Sequence, residues 1–502
     1  MSQLQNGVQP LNYARLTAEE AAAYDRMKTY PVKVLQIGEG NFLRGFVDWM
    51  IHRCNQQDLF QGSVAVSQPR PAGAAKLKEL EEQDGLYYQW IRGLHEGELI
   101  DRRELISVFS ACIDPYKEWD QFLAMAESLD LELIVSNTTE AGLVYTPSEW
   151  APDQPILSYP GKLTLLLFRR FEHFGGDPGK GVLLLPCELV ERNGDKLREI
   201  VLQHAADWQL PEAFVDWIRD HNRFLNSLVD RIVTGFPAEE ADDRYAEWGV
   251  KDRLLNAAEP YHIWAIEGEE ELGQRLPFVQ AGLNVVWTND LKPYQQRKVR
   301  ILNGAHTWMA VLGVLHGLSE VREVVEHPVY GEQLRSVMFD EIVPSVPLPE
   351  AEMRVYAEQV IERFANPYVR HKLTDIAMNT LSKFKVRLLP TLMAYHERTG
   401  ELPPLIMKSF GSLLRLYRVQ QTEDGGYAGS KLNGESQVIR DDAAALSDLA
   451  ALWRKVDNGE LQVKELIADV LSQTSWWDSD LTEIPGLLDV LTDELAQLEE
   501  RA

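Results

Sequence analysis

Three polar side chains in one short stretch, KVRILNGAH (298–306), carry the functional groups that a proton-coupled reduction needs. On a helix advancing about 100° per residue, with Lys298 at zero, His306 falls at about 80° and Asn303 at about 140°. An amine, an amide and an imidazole then share one face, while Ile301 and Leu302 anchor the other. Hydride transfer to or from a secondary alcohol requires a group that moves the hydroxyl proton. It also requires donors that steady the oxyanion forming on the way. Lysine serves as the base where a dry pocket or a neighbouring cation weakens its hold on the proton. Histidine can orient the substrate oxygen, asparagine can donate to it, and no metal is required. Each residue alone also has a plainer reading: Lys298 as a solvated helix lysine, His306 as a satisfied core histidine, Asn303 as a kink or cap beside Gly304. The joint placement is what points to chemistry.

The N-terminal part of the chain has the elements that hold a nucleotide. Val32–Ile37 reads as a strand, Gly38 and Gly40 follow, and Phe42, Phe46, Trp49 and Met50 then recur at helical spacing. Strand, glycine turn and helix open a dinucleotide-binding unit. In GEGNFLRG, absent side chains let a pyrophosphate approach backbone N–H groups at a helix N-terminus. Gly38, Gly40, Asn41, Phe42 and Arg44 are therefore the candidate cofactor contacts. The third glycine of G-x-G-x-x-G is replaced by Leu43, and the next glycine is Gly45, so a plain strand-to-helix turn also fits. Arg44 fits either a phosphate contact or a solvated helix position.

Further strands are expected at Ser63–Ser67, Leu131–Val135 and Val182–Leu185, and helices at 17–28, Tyr116–Ser128 and Leu163–Phe174. This alternation predicts an α/β, Rossmann-like doubly wound domain with a mostly parallel sheet covered on both faces. Ligands gather at the carboxyl ends of such strands. That makes Asn137 and Thr138 of SNTTEAG (136–142) candidate contacts to the cofactor's ribose or nicotinamide, with local turn bonding as the alternative. The acid that usually holds the ribose 2′-OH is not apparent after Ser67, where Gln68, Pro69 and Arg70 follow. Arg70 suits either a 2′-phosphate or the surface, so NAD and NADP both remain open here.

After about residue 290 helical periodicity dominates and strand signals are sparse. Two domains are expected, 1–288 binding the dinucleotide and 289–502 mainly α-helical, with 424–435 as a surface loop. The formal net charge of −27 opposes a nucleic-acid surface, and an anionic ligand would need a local cationic pocket. No apolar run approaches the length of a bilayer span, and the N-terminus has no apolar signal segment, so the cytoplasm is the expected compartment. Cys54, Cys112 and Cys187 have no paired spacing and read as small buried hydrophobes rather than zinc ligands or disulfides.

With these motifs the chain resembles the polyol-specific long-chain dehydrogenases, the mannitol dehydrogenase family, over roughly residues 30–490. The resemblance rests on GEGNFLRG (38–45), SNTTEAG (136–142), PCELVERNG (186–194), LVDRIV (228–233) and KVRILNGAH (298–306). The specific one is K-x4-N-x2-H, and the glycine turn takes the family's own G-x-G-x-F-x-R form. The resemblance implies a two-domain, metal-free enzyme with its active site in the cleft between domains. It implies Lys298 as general acid/base, Asn303 and Asn193 as an oxyanion hole, and His306 as the group that positions substrate. Asp230 matches a substrate-binding aspartate, with a loop or N-terminal acid beside Arg231 as the bland alternative.

The motifs look most like the uronate-reducing branch, which implies NAD as cofactor and a hexuronate/hexonate pair as substrate and product, D-tagaturonate and D-altronate in particular. A uronate carboxylate needs positive charge, and Arg370, His371, Lys372, Lys383, Lys385 and Arg387 form the densest basic stretch. Arg370 and Lys383 lie near positions where the family binds substrate hydroxyls, and arginine suits bidentate carboxylate capture. An exposed basic helix face is the alternative. Rivals are a fructuronate reductase, a mannitol-type polyol dehydrogenase, and a dinucleotide-binding regulator without turnover. The sequence leaves the oligomeric state open.

Overall fold

The computed structural model describes residues 8–500. The chain folds as two compact units, one comprising the residues up to 93 with 99–291, the other 94–98 with the residues from 292 onward.

Short β-branched and aliphatic runs build the central sheet of the first unit. Its strands are β1 (Val32–Ile37), β2 (Ser63–Ser67), β3 (Phe109–Ile113), β4 (Leu133–Ser136), β5 (Leu183–Pro186) and β6 (Arg223–Phe224). Their order is β3-β2-β1-β4-β5-β6 and every pair is parallel. The strand order therefore reverses beside β1, the place where a doubly wound sheet binds its ligand. Both faces are covered, so successive residues of one strand enter different cores. Val34, Val64, Val135 and Leu185 pack with Phe46, Met50 and Trp264, whereas Leu35, Ala65, Ile134 and Leu184 pack with Trp119, Leu163 and Val201.

The expected β1 and β2 coincide with the observed strands, while β4 and β5 begin and end one or two residues later than the apolar runs suggest. The first helix, Ala18–Lys28, starts at a capping box in which Thr17 and Glu20 satisfy each other's backbone N–H. Helix Tyr159–His173 starts four residues earlier than its periodicity suggests, because Ser158 accepts from Gly161 N and caps it. The alternation does not announce a four-stranded and a three-stranded sheet beside the main one. One contains Tyr87–His95 and Glu98–Ile106, and the other pairs Ser227–Asp230 with Ile263–Glu267, which runs parallel to Val285–Thr288.

The second unit is mainly helical. Its centre is Gly304–Leu315, buried at every position and packed against Pro404–Leu416. The stretch expected as a surface loop instead contains strand Tyr427–Ser430, which pairs with Ser436–Ile439 and Gln420–Gln421 in a small antiparallel sheet. Among the described residues no helix is long and apolar enough to cross a membrane. Cys54 and Cys187 are buried and Cys112 is half-buried.

Candidate active site

Strand register places the first group of candidates. Ile37 of β1 stands opposite Ser67 of β2 and Ser136 of β4, and Ser136 stands opposite Pro186 of β5. Gly38, Gln68, Asn137 and Cys187 therefore leave the sheet side by side. Gly38 has φ +127, and a Cβ there would lie 2.9 Å from Asn137 O, so only glycine fits. A Cβ on Gly40 would meet nothing within 4 Å, which leaves bare backbone facing open space where the helix beginning at Asn41 starts. Bare backbone at a helix N-terminus, at the reversal point of the sheet, fits a dinucleotide pyrophosphate.

The neighbouring side chains divide between this face and the interior. Phe42 stacks on Phe46 with ring centroids 5.0 Å apart. Arg44 turns inward and is 1% exposed. It donates to Leu254 O at 2.5 Å and to Asn41 Oδ1 at 2.7 Å, and lies over the Tyr87 ring. The expectation that Arg44 meets phosphate or solvent is thereby corrected, because its contacts lock the helix to the body of the unit. Asn137 donates to Cys187 O at 3.3 Å. Thr138 gives both its N–H and its hydroxyl to Glu188 Oε1, at 2.8 and 2.9 Å, while Ser136 donates to Oε2 at 3.1 Å. Burial pushes the Glu188 carboxyl up, against the downward pull of these donors.

Asn193 also differs from expectation. It is 1% exposed, and its Nδ2 donates to Pro186 O, Glu188 O and Ser227 O at 2.9, 3.1 and 3.1 Å. Its Oδ1 accepts from Gly194 N and Ser227 N, each at 2.9 Å. With both N–H groups committed to backbone carbonyls, this amide is a structural clamp rather than an oxyanion donor. Asp230 is a buried strand residue opposite Ile263, neither a loop acid nor a helix start. Arg231 beside it is interior too, donating to Glu259 O at 2.9 Å and Gly45 O at 2.7 Å.

In the second unit, Lys298–Asn303 forms a π turn inside the helix that runs from Lys292 to Leu315. A π turn holds one residue more than an α turn. The phase of everything beyond it therefore shifts back by about 100°, bringing Lys298, Asn303 and His306 from an arc of about 140° into one of about 60°. Uniform α spacing had spread them too widely. Lys298 and Asn303 are half-buried. The Asn303 carbonyl accepts from Thr307 Oγ1 at 3.0 Å, and its carboxamide, unlike that of Asn193, is engaged by no described residue.

His306 is 8% exposed, with the Phe364 ring tilted against it at 4.4 Å and His371 edge-on at 4.8 Å. Its Nε2 has no partner among the described residues. Burial, and then the neighbouring His371, Arg363, Arg387 and Lys383, hold the imidazole well below its ordinary pKa and hence neutral, and burial lowers His371 as well. Arg387 donates to Thr307 Oγ1 at 3.2 Å, and Lys383 to Ile376 O at 2.7 Å. The other basic residues scatter. Lys385 pairs with Asp478 at 3.0 Å, while Lys372 and Arg370 are exposed in the connection before the helix that starts at Leu373. Among the described residues no group of three His, Cys, Asp or Glu is placed to hold a metal ion.

The Mannitol dehydrogenase Rossmann domain matches residues 32–279, and the Mannitol dehydrogenase C-terminal domain matches residues 290–499. The chain belongs to the mannitol dehydrogenase family. Its relatives include the altronate oxidoreductase of Bacillus subtilis, 44% identical over 93% of this chain and 92% of the relative. Another is the altronate oxidoreductase of Halalkalibacterium halodurans, 40% identical over 98% and 96%. Among solved structures, substrate-free D-sorbitol dehydrogenase superposes with a TM-score of 0.70 at 20% identity, covering 95% of this chain and 92% of that one. The Pseudomonas fluorescens mannitol 2-dehydrogenase ternary complex with NAD and D-mannitol gives 0.63 at 19%, covering 94% and 93%. Both likenesses speak to the fold.

Within this family member, sequence reasoning missed Glu188, Arg363 and the distinct state of the two asparagines. Glu188 lay inside a quoted motif, PCELVERNG, but nothing in its type says that it ties two strand ends together. Arg363 comes from helix Glu350–Phe364, outside the basic stretch, and only folding brings it near His306.

Proposed function

We propose that the protein is an NAD-dependent reductase of a keto-hexuronate, converting D-tagaturonate to D-altronate and back. The observation that carries this reading is the set of positive groups around a neutral His306: Arg363, Lys383 and Arg387, the last donating to Thr307 next to it. In a chain of net charge −27, such a concentration of cationic side chains is what a carboxylate-bearing sugar needs and a neutral polyol does not. The altronate oxidoreductases at 40–44% identity support the same substrate class.

When bound at the glycine turn, NADH supplies the hydride, a hydrogen nucleus with two electrons. Gly38, Gly40 and the first turn of the Asn41 helix would hold its pyrophosphate, with Asn137 and Thr138 on the neighbouring strand end. Lys298 gives its ammonium proton to the alkoxide oxygen formed from the substrate ketone, so that one hydride and one proton convert C=O to CH–OH. In the reverse direction its amine removes that proton. The unengaged Asn303 amide donates to the developing oxyanion, and neutral His306 orients the same oxygen. Asp230, Lys383 and Arg370 are assigned to substrate hydroxyls and Arg387 to the carboxylate.

The test is a comparison of initial rates of NADH oxidation with D-tagaturonate, D-fructuronate and D-fructose. Tagaturonate is expected to be the best substrate. Arg387→Met is expected to reduce uronate turnover by on the order of tenfold or more while sparing fructose. Equal use of the neutral ketose by the unaltered protein would overturn the carboxylate assignment.

A further inference from the structure

The end of β2 has no acid of its own, yet a carboxylate stands there. A Cβ built on Gly73 would lie 2.5 Å from Glu39 Oε1 and 2.7 Å from the Gln68 Cβ. Glu39, lodged between the two glycines of the β1 turn, therefore extends across to the residue that follows β2. It is half-buried. Burial raises the Glu39 carboxyl, with only its own backbone N–H and the charges of Lys76 and Arg44 acting against that. Among the described residues it forms no ion pair and accepts no side-chain hydrogen bond. A desolvated carboxylate whose one protein donor is its own backbone N–H is costly unless something else donates to it.

We propose that Glu39 selects the dinucleotide, accepting hydrogen bonds from the 2′- and 3′-hydroxyls of the adenosine ribose and repelling a 2′-phosphate. This rests on the reading of the glycine turn as a dinucleotide site. In a doubly wound sheet the adenosine ribose lies beside the end of the strand next to the glycine turn, where an acid from that strand usually meets it. Here the same place is reached from the first strand's turn instead. The absence of a side chain at Gly73 is part of the device, because it leaves room for the carboxylate. The two cations nearby do not reverse the preference: Lys76 and Arg44 face the same carboxylate, and the guanidinium of Arg44 is already committed to Leu254 O and Asn41 Oδ1.

The test is equilibrium binding, read by quenching of tryptophan fluorescence with NADH, NADPH and ADP-ribose and independent of turnover. The unaltered protein is expected to bind NADH at least ~100-fold more tightly than NADPH, since a like charge opposes the phosphate and two charge-assisted bonds are lost. Glu39→Gln should weaken NADH and ADP-ribose by on the order of tenfold and narrow the NADH-to-NADPH preference by more. Gly73→Ala supplies a second route. It leaves the charge in place but drives the flexible carboxylate away, and it should shift the preference in the same direction. Tight NADH binding with an unchanged preference in both variants would overturn the role of Glu39 while leaving the dinucleotide site standing. Failure of the unaltered protein to bind any of the three would overturn both.

Discussion

Asn193 and Ser227 bind each other twice: Asn193 Nδ2 donates to Ser227 O at 3.1 Å, and Ser227 N donates to Asn193 Oδ1 at 2.9 Å. The side-chain amide imitates a strand's backbone and pins the start of helix Asn193–Asp207 to strand Ser227–Asp230. Asn193→Ala leaves buried N–H and C=O groups without partners, and each such group costs about 1–3 kcal/mol. The variant is expected to lose on the order of 3 kcal/mol in denaturant unfolding. Unchanged stability with collapsed turnover would restore the oxyanion role to this residue.

Lys298 and Asn303 predict two distinct kinetic losses. Lys298→Ala removes the proton donor, so kcat should fall by ~10²–10⁴. Asn303→Ala should cost ~10²–10³ in kcat through the oxyanion alone. NADH affinity, measured by fluorescence, should stay unchanged in both. A binding defect without a kcat defect would remove them from the chemistry.

His306 makes stability depend on pH in the acidic direction. Its folded pKa lies below the unfolded value because burial, first, and the adjacent cations oppose its protonation. The unfolded chain therefore binds the extra proton more readily, and stability falls as pH drops below about 6.5. In His306→Phe this acid-side slope should shrink, as thermal unfolding between neutral and mildly acidic pH would reveal.

Asp48 has the opposite sign. It is fully buried in the π turn Arg44–Asp48, where Oδ2 accepts from Gln36 at 3.1 Å and Oδ1 has no partner among the described residues. Burial pushes its carboxyl up to about 8. Above the unfolded value near ~4 the native state holds a proton that the unfolded chain releases, so stability is lost as pH rises toward 8. Asp48→Asn mimics the protonated form and should gain on the order of a few kcal/mol relative to the unaltered protein at pH 8, with little gain near pH 4. Equal gains at both ends would contradict a buried neutral acid.

The framework was legible because its signals are periodic. Val32–Ile37 followed by Gly38 and Gly40 announces strand and turn, and Gly38 has a backbone that no other residue adopts comfortably. The hairpin of Tyr87–His95 and Glu98–Ile106 escaped because ELIDRRELI carries too many charges for a strand pattern. A π turn leaves no mark either, since one added residue hardly alters an apolar pattern over a few turns. Asn193 and Asn303 are the same residue type, and only their surroundings separate a committed amide from an unengaged one. Glu39 reads as a turn residue until Gly73 is seen to make room for it.

The helix from Lys292 to Leu315 has one residue more than a straight α-helix of its height would use. Removing a single residue between Lys298 and Asn303 would make it more regular and no less able to fold. It would also leave the lysine where it stands relative to Asn303 and His306, whereas straightening the turn to α with every residue kept would swing the lysine through about 100°. The aim of the amine is therefore stored in the shape of one backbone turn, and a change that straightened that turn with all its residues in place would spare the scaffold and misdirect the chemistry.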